Sequence, residues 1–279
     1  MRSPLIVILA LLLAGCAAPA APDDGLIRIV ASTNVYGDIA AAIGGDLVEV
    51  TSIVSDPAQD PHSVEGSARV QLALSKADIV ITNGGGYDDW VGTLLAGSGN
   101  DNATVINVTE ISGYGATDGF NEHLWYDFET MQKLVQVLGI EIGASSTEFA
   151  DALAELQARE AAMAAAGHET AVAITEPVPL YLLAASGFTN VTPDAFSEAI
   201  EEGSDVPPAA LRDTLALMTD GSARLLVYNE QTTSPETEQV KAAAIAARVA
   251  VVPMTETLPS GYSYLEWMAA NLAALEALS

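Results

Sequence analysis

The sequence predicts an α/β protein of two parallel-sheet lobes, with helices on both faces of each sheet, joined by a single long connecting helix. Three observations carry this reading. Short β-branched runs alternate with helical segments through residues 26–143, the alternation resumes in residues 168–279, and residues 144–167 between them form one amphipathic stretch. With 279 residues, half of them apolar, the chain is long enough for one large or two medium domains with real cores.

Taken in order, residues 1–15 read as a signal peptide. Arg2 is its positive start, Leu5 to Leu13 its apolar centre, and Leu13-Ala14-Gly15-Cys16 its small-residue end. The segment is too short to span a bilayer. The tetrad looks like a bacterial lipobox, which implies cleavage before Cys16 and acylation of its thiol, and Cys16 is the only cysteine. Residues 16–25 then form the lipidated Cys and a flexible tether, and the mature protein is expected outside the cell, lipid-anchored to the cytoplasmic membrane.

In the first lobe "LIRIVAST" is a strand, "NVYGDIAAAIGG" a short helix closed by Gly, "LVEVTSIV" a strand and "SARVQLALSKA" a helix. "DIVITNGGG" is a strand running into a glycine loop, followed by a helix beginning near Tyr87 and the strand "ATVINV". The linking stretch "SSTEFADALAELQAREAAMAAAG" has Ser146 or Thr147 as N-cap, an apolar stripe of Phe149, Leu153, Leu156 and Met163, and a closing Gly167. In the second lobe "TAVAIT", "RLLVY" and "RVAVVPM" are strands, and "PPAALRDTLALMTDG" is a helix with Pro in its first turn and Gly at its end. A final helix places Tyr264, Leu265, Met268, Leu272 and Leu275 on one face, and no repeat of fixed short period is visible.

Lys plus Arg number 10 against 37 Asp plus Glu, a formal net charge of −27. That field repels phosphate backbones, so nucleic acid is excluded as a partner and cations are the natural opposite. Most of these acids form a solvating surface. No G-x-S-x-G elbow, P-loop or G-x-G-x-x-G occurs, and the "NGGG" at Asn83 to Gly86 is a weak phosphate cradle. An acylated Cys16 leaves no cysteine nucleophile.

Chemistry therefore rests on histidines and on acids in unusual places. His62 lies in "SDPAQDPHSVEGS", a loop following a strand, and His123 in "GFNEHLWYDF", a loop before a helix. Glu176 follows the strand "TAVAIT" and precedes Pro177; Glu256 follows "RVAVVPM" in the same sense. Ligands of open α/β sheets gather at the carboxyl ends of strands, so these four side chains share an address. Each could equally be a solvated loop residue. His168, before a strand, reads as a surface turn residue.

At these residues the sequence resembles the metal-binding lipoproteins of bacterial zinc and manganese ABC importers, the cluster A-I solute-binding proteins. "DPHSVEGS" is similar to the family's D-P-H-x-[YF]-E-x-[ST] loop, with Val64 replacing the usual aromatic. "NEHLWYDF" is similar to N-P-H-x-W-x-D-P, with Glu122 and Phe128 at positions where prolines are common. "NGGGYDDWV" resembles N-G-x-G-[YLF]-[DE]-x-W, and "YNEQTTSPETEQV" resembles the N-x-Q-x-[ST] segment. Tyr181 and Gly187-Phe188 match the pattern that follows the third ligand. No His-rich loop separates His62 from His123.

The resemblance implies a metal site in the interlobe cleft, ligated by His62, His123, Glu176 and Glu256, with Glu256 at a position that more often holds Asp. It also implies an ABC permease with a cytoplasmic ATPase as partner, a monomer, and no enzymatic activity. The cargo is one divalent transition metal, Mn²⁺ or Zn²⁺. Glu176, in place of the His common in zinc members, tilts the balance slightly towards Mn²⁺, since carboxylates suit the harder ion. Asp60 and Glu65 are candidates to orient His62, and Glu122 or Asp127 to orient His123. Trp125 reads as packing. A metal-dependent surface adhesin and a zinc hydrolase are the alternatives.

Overall fold

The computed structural model describes residues 24–56, 64, 66–115, 119–167 and 170–278. The signal segment, Cys16, Asp60, His62, Glu65 and His168 lie outside them. The first lobe runs β1 (Ile27–Thr33), α1 (Asn34–Gly44), β2 (Val48–Val54), α2 (Ala68–Leu74), β3 (Ile79–Thr82), α3 (Trp90–Ser98), β4 (Thr104–Asn107), α4 (Val108–Ser112) and α5 (Phe128–Ile142). Helix α6 (Thr147–Ala165) leads into β5 (Thr170–Ile174), α7 (Leu180–Ala185), β6 (Phe188–Asn190), α8 (Asp194–Glu201), α9 (Pro208–Thr219), β7 (Leu225–Asn229), α10 (Pro235–Ala247), β8 (Ala250–Met254) and α11 (Tyr264–Glu276).

Both sheets are four-stranded and parallel, in the orders β2-β1-β3-β4 and β6-β5-β7-β8. Helices cover both faces, so the inner strands are apolar without alternation, and β3 and β7 are buried along their whole length. Strand β6 goes unread in the sequence because it is three residues long with one buried side chain, Phe188. The segment near Tyr87 also differs from expectation. Helix α3 starts only at Trp90, because Gly84, Gly85 and Gly86 all hold positive φ (74°, 66° and 101°) and keep Tyr87 in a turn.

One continuous apolar core takes in Ile29, Ile81, Tyr36, Trp125, Leu134, Leu153, Ile174, Val227 and Trp267, residues drawn from both lobes and from α5, α6 and α11. Smaller cores lie behind each sheet. Arg159 on α6 clamps Glu276 on α11 through two 2.9 Å hydrogen bonds, a half-exposed pair worth little beside that core. Loops at the carboxyl ends of the strands meet across the cleft. Asn34, after β1, exchanges two hydrogen bonds with the backbone of Leu258, after β8 (2.9 and 3.1 Å), and Tyr264 N donates to Asp38 at 2.7 Å. Among the described residues no helix is long and apolar enough to cross a membrane.

The connecting helix meets the second lobe at Gly187, whose φ is +84°; a Cβ there would stand 2.9 Å from the Ala164 Cα. That neighbour is backbone and cannot turn aside. Gly187→Ala is therefore expected to destabilise the protein by more than about 1 kcal/mol, read as a lower urea midpoint with unchanged m-value.

Candidate metal centre

His123 is fully buried, in the loop between α4 and α5, and its tautomer follows from its neighbours. The Asn121 amide donates through Nδ2 to the Pro177 carbonyl at 3.0 Å, which turns its Oδ1 toward the imidazole. Nδ1 of His123 lies 2.7 Å from that oxygen and so carries the proton, leaving the Nε2 lone pair to the cleft. Among the described residues Nε2 has no hydrogen-bond partner, and it stands 3.4 Å from Glu201 Oε1. Trp125 packs edge-on to the imidazole, 5.1 Å between centroids, and Tyr87 stands 6.2 Å away. The orienting residue is thus Asn121. Glu122 offers its backbone carbonyl to Asn83 instead, and Asp127 accepts from Thr130 at 2.5 Å. Neither carboxylate holds the ring, because the turn at Leu124–Tyr126 carries Asp127 on to the start of α5.

Glu176 leaves the end of β5 nearly buried, at 3 % exposure, and its Oε2 accepts from the Asn229 amide. Thr175 Oγ1 accepts from Asn229 N at 3.0 Å, so β7 fixes both the strand end and the carboxylate beyond it. Burial first, then the negative charge of Glu201, raises the Glu176 pKa to about 8, against hydrogen bonds from Asn229 and Thr232 and with a further push from Glu256. Glu256, 5 % exposed, accepts from the Tyr87 hydroxyl at 2.9 Å. Its backbone N–H donates to Gln231 Oε1 at 2.7 Å, and Thr257 N donates to the same oxygen at 2.9 Å. The N-x-Q of "YNEQT" thereby braces two acids at once: Asn229 holds Glu176, and Gln231 holds the loop that presents Glu256.

The glycine loop cradles no phosphate. Asp88 fills it with its own carboxylate, accepting from Asn83 N at 2.7 Å and Gly84 N at 2.8 Å. The turn serves to aim Tyr87 across the cleft at Glu256.

His123, Glu176 and Glu256 are thus all buried, with Tyr87 beside both His123 and Glu256, while His62 and Cys16 lie outside the described residues. Among the described residues no three His, Cys, Asp or Glu side chains stand close enough as placed to hold one ion. The donor set still fits a divalent metal: a buried imidazole nitrogen with no hydrogen-bond partner among the described residues, and buried carboxylates that repel one another. Sequence reasoning misses Glu201, the last residue of α8, whose side chain is 11 % exposed beside His123. Its neighbour Glu202 points to solvent, and nothing in "EAIEEG" separates the two.

Glu176 couples its protonation to the stability of the fold. A folded-state pKa of about 8 lies above the ordinary 4.5, so this group's contribution to metal-free stability is whole below about pH 4.5 and is lost as pH rises through about 8. Glu176→Gln is expected to flatten the decline in metal-free Tm between those limits. A cation needs the ionised form, so binding at pH 7 should release a proton from Glu176, seen as a calorimetric heat that scales with buffer ionisation enthalpy and that disappears in the same variant.

Residues 29–278 match the family described as the periplasmic component A of the zinc-uptake complex, ZnuA. The manganese-binding lipoprotein MntA of Halalkalibacterium halodurans is 31% identical over 143 residues, 48% of this chain and 46% of that protein. The chain thus spans less than half the length of the curated relatives it matches. Among solved structures, the Pseudomonas aeruginosa solute-binding protein FpvC in complex with Mn²⁺ superposes with a TM-score of 0.72 at 20% identity, over 91% of this chain and 98% of that one. The periplasmic zinc-binding protein TroA of Treponema pallidum gives 0.73 at 16% identity, over 91% and 99%. At such identities the likeness is one of fold.

Proposed function

The chain belongs to the ZnuA family of periplasmic metal-uptake components, and from that premise we propose that it captures Mn²⁺ or Zn²⁺ outside the cell and delivers the ion to an ABC permease driven by a cytoplasmic ATPase. His62, His123, Glu176 and Glu256 are the proposed ligands, two from each lobe. Acylated Cys16 ties the monomeric protein to the membrane, and the site performs no chemistry on its cargo.

The observation that carries this reading is His123. A fully buried imidazole with its proton fixed on Nδ1 and, among the described residues, no hydrogen-bond partner on Nε2 is an incomplete arrangement, and a cation shared with Glu176 and Glu256 would complete it. The cation also supplies the positive charge that lets buried carboxylates converge. Two oxygen donors against two imidazoles favour Mn²⁺ modestly; the Irving–Williams order pulls towards zinc, so supply decides alongside affinity. The shared core and the stiff α6 limit closure to small rocking of the lobes and ordering of loops.

Calorimetry on the mature protein tests the ligand set. The His62→Ala, His123→Ala double variant is expected to lose Mn²⁺ and Zn²⁺ affinity by at least about a hundredfold, given that loss of even an outer partner of a metal site costs about 10–100-fold. Near-wild-type affinity would refute the assignment. Elemental analysis of protein taken from its native envelope, followed by zinc–manganese competition, names the cargo.

A further inference from the structure

We propose that Glu201 is a further ligand of the captured cation, a third carboxylate that shares the ion with His123 and is the first to meet it. This deepens the metal-capture reading and rests on it. Oε1 of Glu201 stands 3.4 Å from His123 Nε2, and among the described residues Nε2 is the ring nitrogen left without a hydrogen bond in a fully buried imidazole. The spacing is informative. Donors that hydrogen-bond directly approach to about 2.7–3.2 Å, whereas two donors each about 2.0–2.1 Å from one tetrahedral ion stand roughly 3.4 Å apart. The separation fits two ligands of a shared metal.

The surroundings point the same way. Glu201 lines an open cavity of about 540 Å³ between the lobes, together with Glu122, Asp194, Glu198 and Glu202, and its side chain is 11 % exposed. A wall so rich in carboxylates attracts cations from outside. Helix α8 is held in place by the buried Phe196 and Ile200, which fix the direction in which its last residue points. A third carboxylate makes the site richer in oxygen than two His and two Glu, which strengthens selection of a hard ion such as Mn²⁺ over Zn²⁺.

The test uses the mature chain with Co²⁺ as a spectroscopic probe and Mn²⁺ in calorimetry. Glu201→Gln, nearly isosteric, should shift and change the intensity of the Co²⁺ visible bands and lower Mn²⁺ affinity at least about tenfold, with a smaller loss for Zn²⁺. Glu155→Gln, the same charge change at an exposed position of α6, should leave the bands unmoved. Unchanged bands and unchanged Mn²⁺ affinity in Glu201→Gln would overturn the proposal while leaving metal capture intact. A wild-type protein that binds neither Co²⁺, Mn²⁺ nor Zn²⁺ would overturn metal capture itself. If Glu201→Gln fails to fold, Glu201→Asp withdraws the oxygens by one methylene with the charge kept, and the bands are read in the same way.

Discussion

Glu176, Glu201 and Glu256 bring like charge into a cleft walled by Tyr87 and Trp125, where low polarity makes each ionised carboxylate costly and their mutual repulsion stronger. Much of the surrounding structure answers that constraint. Asn229 donates to Glu176, Tyr87 donates to Glu256, and Gln231 pins the backbone of Glu256 and Thr257. The raised pKa of Glu176 is the same constraint seen as a proton. In the proposed site a divalent cation would relieve it more completely.

The braces work only if the two lobes keep their relative placement. Contacts across the cleft are made by backbone groups as well as side chains: Asn34 with Leu258, Asn121 with Pro177, the Tyr181 hydroxyl with the Asn121 carbonyl, and the Tyr126 hydroxyl with the Thr255 carbonyl. Asn121 shows how tightly orientation and architecture are joined. Its amide is set by a carbonyl of the second lobe, and its oxygen then decides which nitrogen of a first-lobe histidine carries the proton. A shift between lobes would therefore alter the tautomer of the imidazole as well as its position.

Several motifs gain a mechanical meaning. The glycines after β3 bend the chain around Asp88 so that Tyr87 reaches Glu256, and in the positive-φ turn a side chain at Gly84 would strike Asn107. Phe128, at a position where the related loops favour proline, begins α5 as a fully buried residue, so packing supplies the helix start that proline would otherwise favour.

By itself the sequence determined the alternation of strand and helix, the loops after β5 and β8 that bear Glu176 and Glu256, and the acidic balance, whereas His123 sits one helix beyond its strand, after α4. These follow from local patterns: β-branched runs, helical periodicity, and glycine or proline at the ends. Tertiary structure alone decided the identical strand order of the two sheets, which has no short repeat to announce it, and the three-residue β6. It alone decided that Asn121 orients His123 in place of Glu122 or Asp127, and that Glu201 is mostly buried beside His123 while Glu202 is exposed. The physical reason is the same throughout. Which member of a polar cluster is buried, and what it meets there, depends on contacts between residues tens to hundreds of positions apart, such as Asn121 with Pro177 or Tyr87 with Glu256, and no local pattern encodes them.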